Sequence, residues 1–290
     1  MFDLRYHVAS LAAVFIALAV GILVGIGLSG QGFVDDAERR NLNDRITELQ
    51  KAQAGADELI ATVTARGRAL EDYVERTYPA LVPGRLTGKR LGLIVVGRRN
   101  GGLDEAVREA IDDAGGRLVR VRVVGVPLAL EELREALDAL PPTVADAGSG
   151  YEDLGEQIGR ELVVGGKAPL LDALEEILVV NRSGPSAPAL DGIVVARTSE
   201  PQRGETEQFL SGLYRGVGLD GAVHVGIERA RTTPSTVPVL TRAGLSTVDS
   251  VDTPMGQLAL VLLLAGAQPG SYGVERTARD GVLPPVPVGG

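Results

Sequence analysis

The stretch that most constrains this chain is Val8 to Leu28, 21 consecutive residues without a formal charge. A helix of that length spans roughly 32 Å, close to the ~30 Å hydrocarbon core of a bilayer. Phe2 and Tyr6 stand before the run and Phe33 after it, where interfacial aromatics settle. A cleaved signal peptide would use Val8 to Ala19, with Ala17-Leu18-Ala19 as the cut. Val20-Gly21-Ile22-Leu23-Val24 instead prolongs the apolar run, and no polar segment precedes the cut. The segment therefore reads as an uncleaved anchor over residues 1–30. Arg5 precedes it, and Asp35, Asp36, Glu38, Arg39 and Arg40 follow, so the flanking charges are mixed. The favoured orientation keeps the short N-terminus in the cytoplasm and exports residues 31–290. Ala9, Ala13, Ala17, Gly21 and Gly25 recur every four residues, one small-residue face on which two such helices can approach.

Residues 35–78 contain no proline. On a heptad register Ile46, Gln53, Ile60, Gly67, Val74 and Leu81 take a positions. Leu42, Leu49, Ala56, Val63, Leu70 and Thr77 take d positions. The pattern predicts a coiled-coil stalk over 31–82, with weak layers at Gln53, Gly67 and Thr77. Arg66 at g and Glu71 at the following e suit a parallel pairing. The competing reading is one amphipathic helix lying on the body. Tyr78-Pro79 and Pro83-Gly84 are expected to stop the helix.

A different pattern starts near residue 86. Arg90–Val96, Leu118–Val124, Gly192–Ala196 and Ala222–Ile227 read as strands. Leu103–Ala114, Leu130–Leu140, Tyr151–Val164, Pro169–Glu176, Glu205–Arg215 and Pro254–Ala265 read as helices, and Val237–Leu240 as a short extended piece. This alternation predicts an α/β head over 83–280, a mostly parallel, doubly wound, Rossmann-like sheet. Gly148 to Gly150 and Ser183 to Pro188 read as loops, and 281–290 as a flexible tail. Leu258 to Ala265 is too short an apolar run for a second span and reads as a buried helix.

Composition narrows the chemistry. The chain has no cysteine, two histidines and two methionines. That excludes disulfides, thiolate metal sites and a thiol nucleophile. His7, His224, Met1 and Met255 are scattered, so one copy is not expected to build a compact cage for a soft or borderline metal. A net charge of −9 and a dearth of aromatics argue against nucleic acid as a partner. The first strand–helix junction, Val96-Gly-Arg-Arg-Asn-Gly-Gly-Leu103, is glycine-rich but lacks the dinucleotide spacing, and no acid follows the second strand. No cofactor is expected. Nor is an enzyme: the nucleophile and zinc motifs are absent, and His224, inside a strand, reads as a structural histidine.

Two groups of residues remain as candidate ligand sites. Arg98, Arg99, Asn100, Arg197, Thr198 and Ser199 all follow strand ends, where a parallel sheet would gather them into a partly cationic crevice for an anion. The alternative is a set of ordinary solvated loops. Ser246, Thr247, Asp249 and Asp252 crowd the run before Thr253-Pro254, itself a helix start with an N-cap and proline at the first position. The two aspartates suit hydrogen bonds to this turn, or a hard cation; the metal, if there is one, is unknown.

At both ends the chain resembles the actinobacterial copper transport protein MctB-like family. Arg5-Tyr-His-Val-Ala-Ser-Leu-Ala-Ala-Val-Phe15 and Ala17 to Gly25 carry the resemblance at the start. Ser235-Thr-Val-Pro238, Gly244-Leu-Ser-Thr-Val-Asp249, Val251-Asp252-Thr253, Gly256 and Ser271-Tyr-Gly273 carry it near the end. The resemblance implies a membrane-anchored cell-envelope protein in copper homeostasis, with transport or efflux and channel-like behaviour through homo-oligomers. It supplies no ligand or catalytic residues. The alternative is a non-enzymatic envelope scaffold whose head binds a partner protein or envelope ligand.

Overall fold

The apolar run and the 31–82 segment form two helices, α1 (Leu4–Leu28) and α2 (Gln31–Leu81). The computed structural model describes residues 4–28, 31–141, 150–219 and 221–285. Within α1, Tyr6–Gly27 is long and apolar enough to cross a membrane. Helix α2 runs through Pro79 to Leu81 rather than stopping at Tyr78. A proline this near a helix end removes only one bond of the last turn, and Val82 N–H still donates to the Tyr78 carbonyl at 3.1 Å. Two compact units divide at Arg68/Ala69. The end of α2 thus belongs to the body, where Val74 is buried and Tyr78 packs on the core. Burial raises the Tyr78 phenol above its ordinary range, with the negative charges of Asp113 and Glu109 adding to the effect.

The described residues form a seven-stranded sheet in the order β3-β2-β1-β4-β5-β6-β7. The strands are β1 (Arg90–Val96), β2 (Arg117–Val124), β3 (Val179–Ser183), β4 (Gly192–Arg197), β5 (Val223–Ile227), β6 (Ser246–Val248) and β7 (Ser271–Tyr272). Only β3 runs antiparallel to its neighbour. The helices are α3 (Gly101–Asp113), α4 (Leu130–Asp138), α5 (Tyr151–Val164), α6 (Pro169–Leu178), α7 (Gly204–Gly216), α8 (Val237–Arg242) and α9 (Pro254–Leu264).

Strand β1 is apolar at nearly every position because both of its faces are covered. Leu91, Leu93 and Val95 enter one core with α3 and α9, while Ile94 and Val96 enter a second with α5, α6 and α7. The apolar run expected to be a buried helix is α9, whose residues Leu258 to Leu264 are all buried. Three strands were not apparent from the pattern. β3 is short and mostly exposed, and β6 and β7 have only three and two residues. The Val237–Leu240 piece is a helix, not extended. Pro238 sits in its first turn, where its missing N–H costs nothing, and Val237 and Leu240 turn inward.

Strand β2 alternates Arg120 and Arg122 with apolar residues. Arg120 and Arg122 are both buried, at 2% exposure. Arg120 donates to the carbonyls of Pro185 at 3.1 Å and Pro188 at 2.6 Å, and also to those of Leu162 and Ser186. Arg122 pairs with Glu175 at 2.9 Å. Ser183, expected in a loop, ends β3, and the loop 184–188 covers the two buried cations. Burial, helped by the neighbouring Arg122 charge, pulls the Arg120 guanidinium down to about 10. Of the expected tail, Leu283 packs on the core and Pro284 is buried. Gly148, Ser149 and residues 286–290 lie outside the described residues.

Candidate functional site

The chain leaves β1 toward β2 and returns on its other side with β4, so the order in which strands are added reverses there while the strands stay parallel. In parallel sheets such a reversal opens a crevice at the carboxyl ends of the strands. A cavity of about 750 Å³ lies there. Arg98, Arg99, Asn100, Arg197, Thr198 and Ser199 all line it. Sequence reasoning placed these six together, and the structure does so too. Gly97 makes the approach of the two loops workable. Its φ is +91°, and a Cβ there would stand 2.8 Å from Thr198 Cγ2.

A third wall went unseen in the sequence: Glu228, Arg229, Ala230, Arg231, Thr232 and Thr233, the loop after β5. The signal was present. Arg229 and Arg231 lie in the loop just after β5, as Arg98 and Arg99 lie in the loop just after β1.

The charges around the cavity are organised. Arg99 pairs with Asp104. Arg197 has a side chain only 4% exposed, lies 3.7 Å from Glu207 and sits 5.8 Å over the Tyr214 ring. Its Nη1 makes no hydrogen bond of ordinary geometry among the described residues. Arg229 Nε lies 3.2 Å from Asp252. Glu228 is turned away: it accepts from Ser235 Oγ at 2.7 Å, Thr236 N at 2.6 Å and Thr236 Oγ1 at 2.9 Å. Among the described residues Arg98 and Arg231 have no ion-pair partner. The first turn of α3 also faces the cavity, and its N-cap, Asn100, makes no side-chain cap. Unpaired guanidinium groups beside an open helix N-terminus form an anion-attracting surface.

The second candidate group does not join this cavity. Ser246 and Thr247 lie on β6, with Thr247 buried. Asp249 is buried and accepts from Val274 N at 2.8 Å, Glu275 N at 3.2 Å, Ser250 Oγ at 3.0 Å and Thr277 Oγ1 at 3.4 Å. It ties down the loop after β7. Asp252 accepts from Ala230 N at 2.7 Å and so fixes the third wall of the cavity from behind. The two aspartates serve different loops, which leaves them no shared cation to hold. Thr253 caps α9, accepting from Gly256 N at 3.1 Å. His224 has both ring nitrogens 3.1 Å from backbone carbonyls, those of Ala222 and Gly244, a structural role.

A family model described as "Copper transport outer membrane protein, MctB" matches residues 1–284. A search of curated proteins returned no match.

Proposed function

The chain belongs to the MctB family, and on that premise we propose that it is a membrane-anchored envelope protein acting in copper homeostasis. The observation that carries this reading is the family match itself, which covers anchor, long helix and body in one span, residues 1–284. We read α1 as the anchor, because its 22-residue stretch Tyr6–Gly27, near the N-terminus, is apolar enough to cross a bilayer, and the body as exported.

We further propose that the protein works as a homo-oligomer. The heptad residues Leu42, Ile46, Leu49, Ile60 and Val63 are all more than half exposed in the single chain. Such a stripe on a 51-residue helix supports a coiled coil with a second copy. On α1 the face of Ala9, Ala13, Ala17, Gly21 and Gly25 adds to this: a Cβ at Gly21 or Gly25 would meet nothing within 4 Å. Any channel would arise from such assembly. No described strand exceeds eight residues, and a membrane-spanning β-strand needs about 9–11.

The strand order and the two cores support a doubly wound, Rossmann-like body. We read that body as a binding head without catalysis of its own. We place its contribution to copper handling in assembly or in an envelope partner rather than in a copper cage within one chain. Deleting the gene and measuring cell copper after copper challenge tests the reading, and excess accumulated copper is expected. Copper content equal to the parent strain would remove it. That result would leave the second reading, an envelope scaffold, which the open cavity at the strand ends favours.

A further inference from the structure

We infer that the cavity at the strand ends is a binding site for a phosphomonoester carried on a small hydroxylated, non-aromatic group. The inference deepens the reading of the body as a binding head, and it does not depend on copper.

The charge argument comes first. Of the five arginines that line the cavity, three are engaged by carboxylates, Asp104, Glu207 and Asp252. Those carboxylates fix guanidinium positions in advance, which spares a ligand the cost of ordering them. Arg98 and Arg231 are exposed and unpaired among the described residues. They come from opposite walls, the loops after β1 and β5. Glu228, the acid in the lining, is buried and already accepts three hydrogen bonds. A dianion brings the charge that this arrangement lacks.

Donor geometry comes next. The Arg197 side chain, almost wholly buried between Glu207 and the Tyr214 ring, lines the cavity and puts a fixed positive charge in its wall. The Gly101-Gly102 start of α3 adds backbone N–H groups, with no Cβ to keep an oxyanion away. A Cβ built on Gly101 would meet nothing within 4 Å. A tetrahedral phosphate with three terminal oxygens can accept from several such donors at once.

Size and lining define the rest of the ligand. About 750 Å³ is much more than inorganic phosphate fills. The remaining wall carries the hydroxyls of Thr198, Ser199, Thr232 and Thr233 and no aromatic ring. Hydroxyls suit a polyol, and the absence of a stacking surface disfavours a nucleobase.

Titration calorimetry on the full chain in detergent micelles tests this with two probes. Glycerol 3-phosphate in solution represents a free metabolite, and lysophosphatidate, which keeps a free glycerol hydroxyl, doped into the micelles represents a lipid headgroup. Saturable binding below about 1 mM is expected for one of them. If the free ester binds, the ligand is soluble; if only the doped micelles bind, the source is a lipid. The double variant R98Q/R231Q keeps the fold, since both side chains are exposed and unpaired, and circular dichroism checks this. It should weaken binding about tenfold or more, the equivalent of ~1.4 kcal/mol for a lost charge-assisted hydrogen bond. Absence of binding in both arms, or undiminished binding by the folded double variant, would overturn the inference. Neither outcome bears on the copper reading, which the deletion strain decides separately.

Discussion

Tyr214 and Asp249 show how local environment decides what a polar side chain does here. Asp249 has the makings of a cation ligand, yet its carboxylate is used up by the N–H groups of Val274 and Glu275. A Cβ on Gly273 would stand 1.9 Å from Asp249 Oδ1, so the loop can come this close only with glycine there. Tyr214 is buried beside the Arg197 guanidinium, and its hydroxyl makes no hydrogen bond of ordinary geometry. Burial pushes its phenol above the ordinary range, with the Arg197 charge acting the other way. The unfolded chain therefore releases this proton first. The associated stability is intact below about pH 10 and is lost as pH rises beyond it. Tyr214→Phe should change the unfolding free energy at pH 8 by no more than about 1 kcal/mol, because the hydroxyl it removes meets only the Arg197 guanidinium, and not with ordinary hydrogen-bond geometry. Between about pH 9 and 11 the variant should lose stability less steeply than the native chain. Thermal unfolding followed by circular dichroism reads both effects, and parallel pH curves would show that Tyr214 is not a source of the alkaline loss.

At the scale of elements, the tightest contact in the body is between α5 and α7. It depends on four glycines at matching intervals, Gly155 and Gly159 facing Gly212 and Gly216. A Cβ on Gly212 would stand 1.9 Å from the Glu152 carbonyl oxygen, and one on Gly155 2.0 Å from that of Phe209. Backbones this close leave no room for even a methyl group. Gly212→Ala should therefore cost about 3 kcal/mol, at the upper end of overpacking penalties. Chemical denaturation of the full chain measures it, and a loss below about 1 kcal/mol would mean that the helices separate easily. The matching four-residue spacing was visible in the sequence on both helices. Its meaning was not, because only the fold shows that the two faces meet. The same holds for α8. The stretch Val237 to Leu240, which opens this six-residue helix, fits a strand or a helix by pattern alone, and burial of Val237 and Leu240 in a helical turn decided the matter.

For the molecule as a whole, the question is assembly. The exposed heptad stripe on α2 predicts that the full chain in detergent sediments as an oligomer. Ile46→Lys together with Ile60→Lys should convert it to a monomer, since each places a charge in an apolar layer where its partner has no counterion. The thermal midpoint of the body should be unaffected, as neither residue packs in its cores. A native chain that sediments as a monomer would defeat the coiled-coil reading. An oligomer that survives the double change would place association in α1 or in the body instead.

The sequence by itself determined those features that rest on local periodicity. An uncharged run of bilayer length, a long helix with a heptad pattern and the central β1, β2, β4 and β5 strands are all set by the order of apolar residues. The six strand-end residues of the cavity were legible for a related reason, since parallel topology sends successive strand ends to one edge. Tertiary structure alone decided the rest. It paired the short strands β6 and β7, which have too few residues to show a period. It buried Arg120 and Arg122 under a loop whose carbonyls only the fold brings near. It separated Asp249 from Asp252, close neighbours along the chain, by giving each a different loop to hold. These outcomes depend on contacts between residues far apart in sequence, and no local pattern encodes which distant backbone group will meet a given side chain.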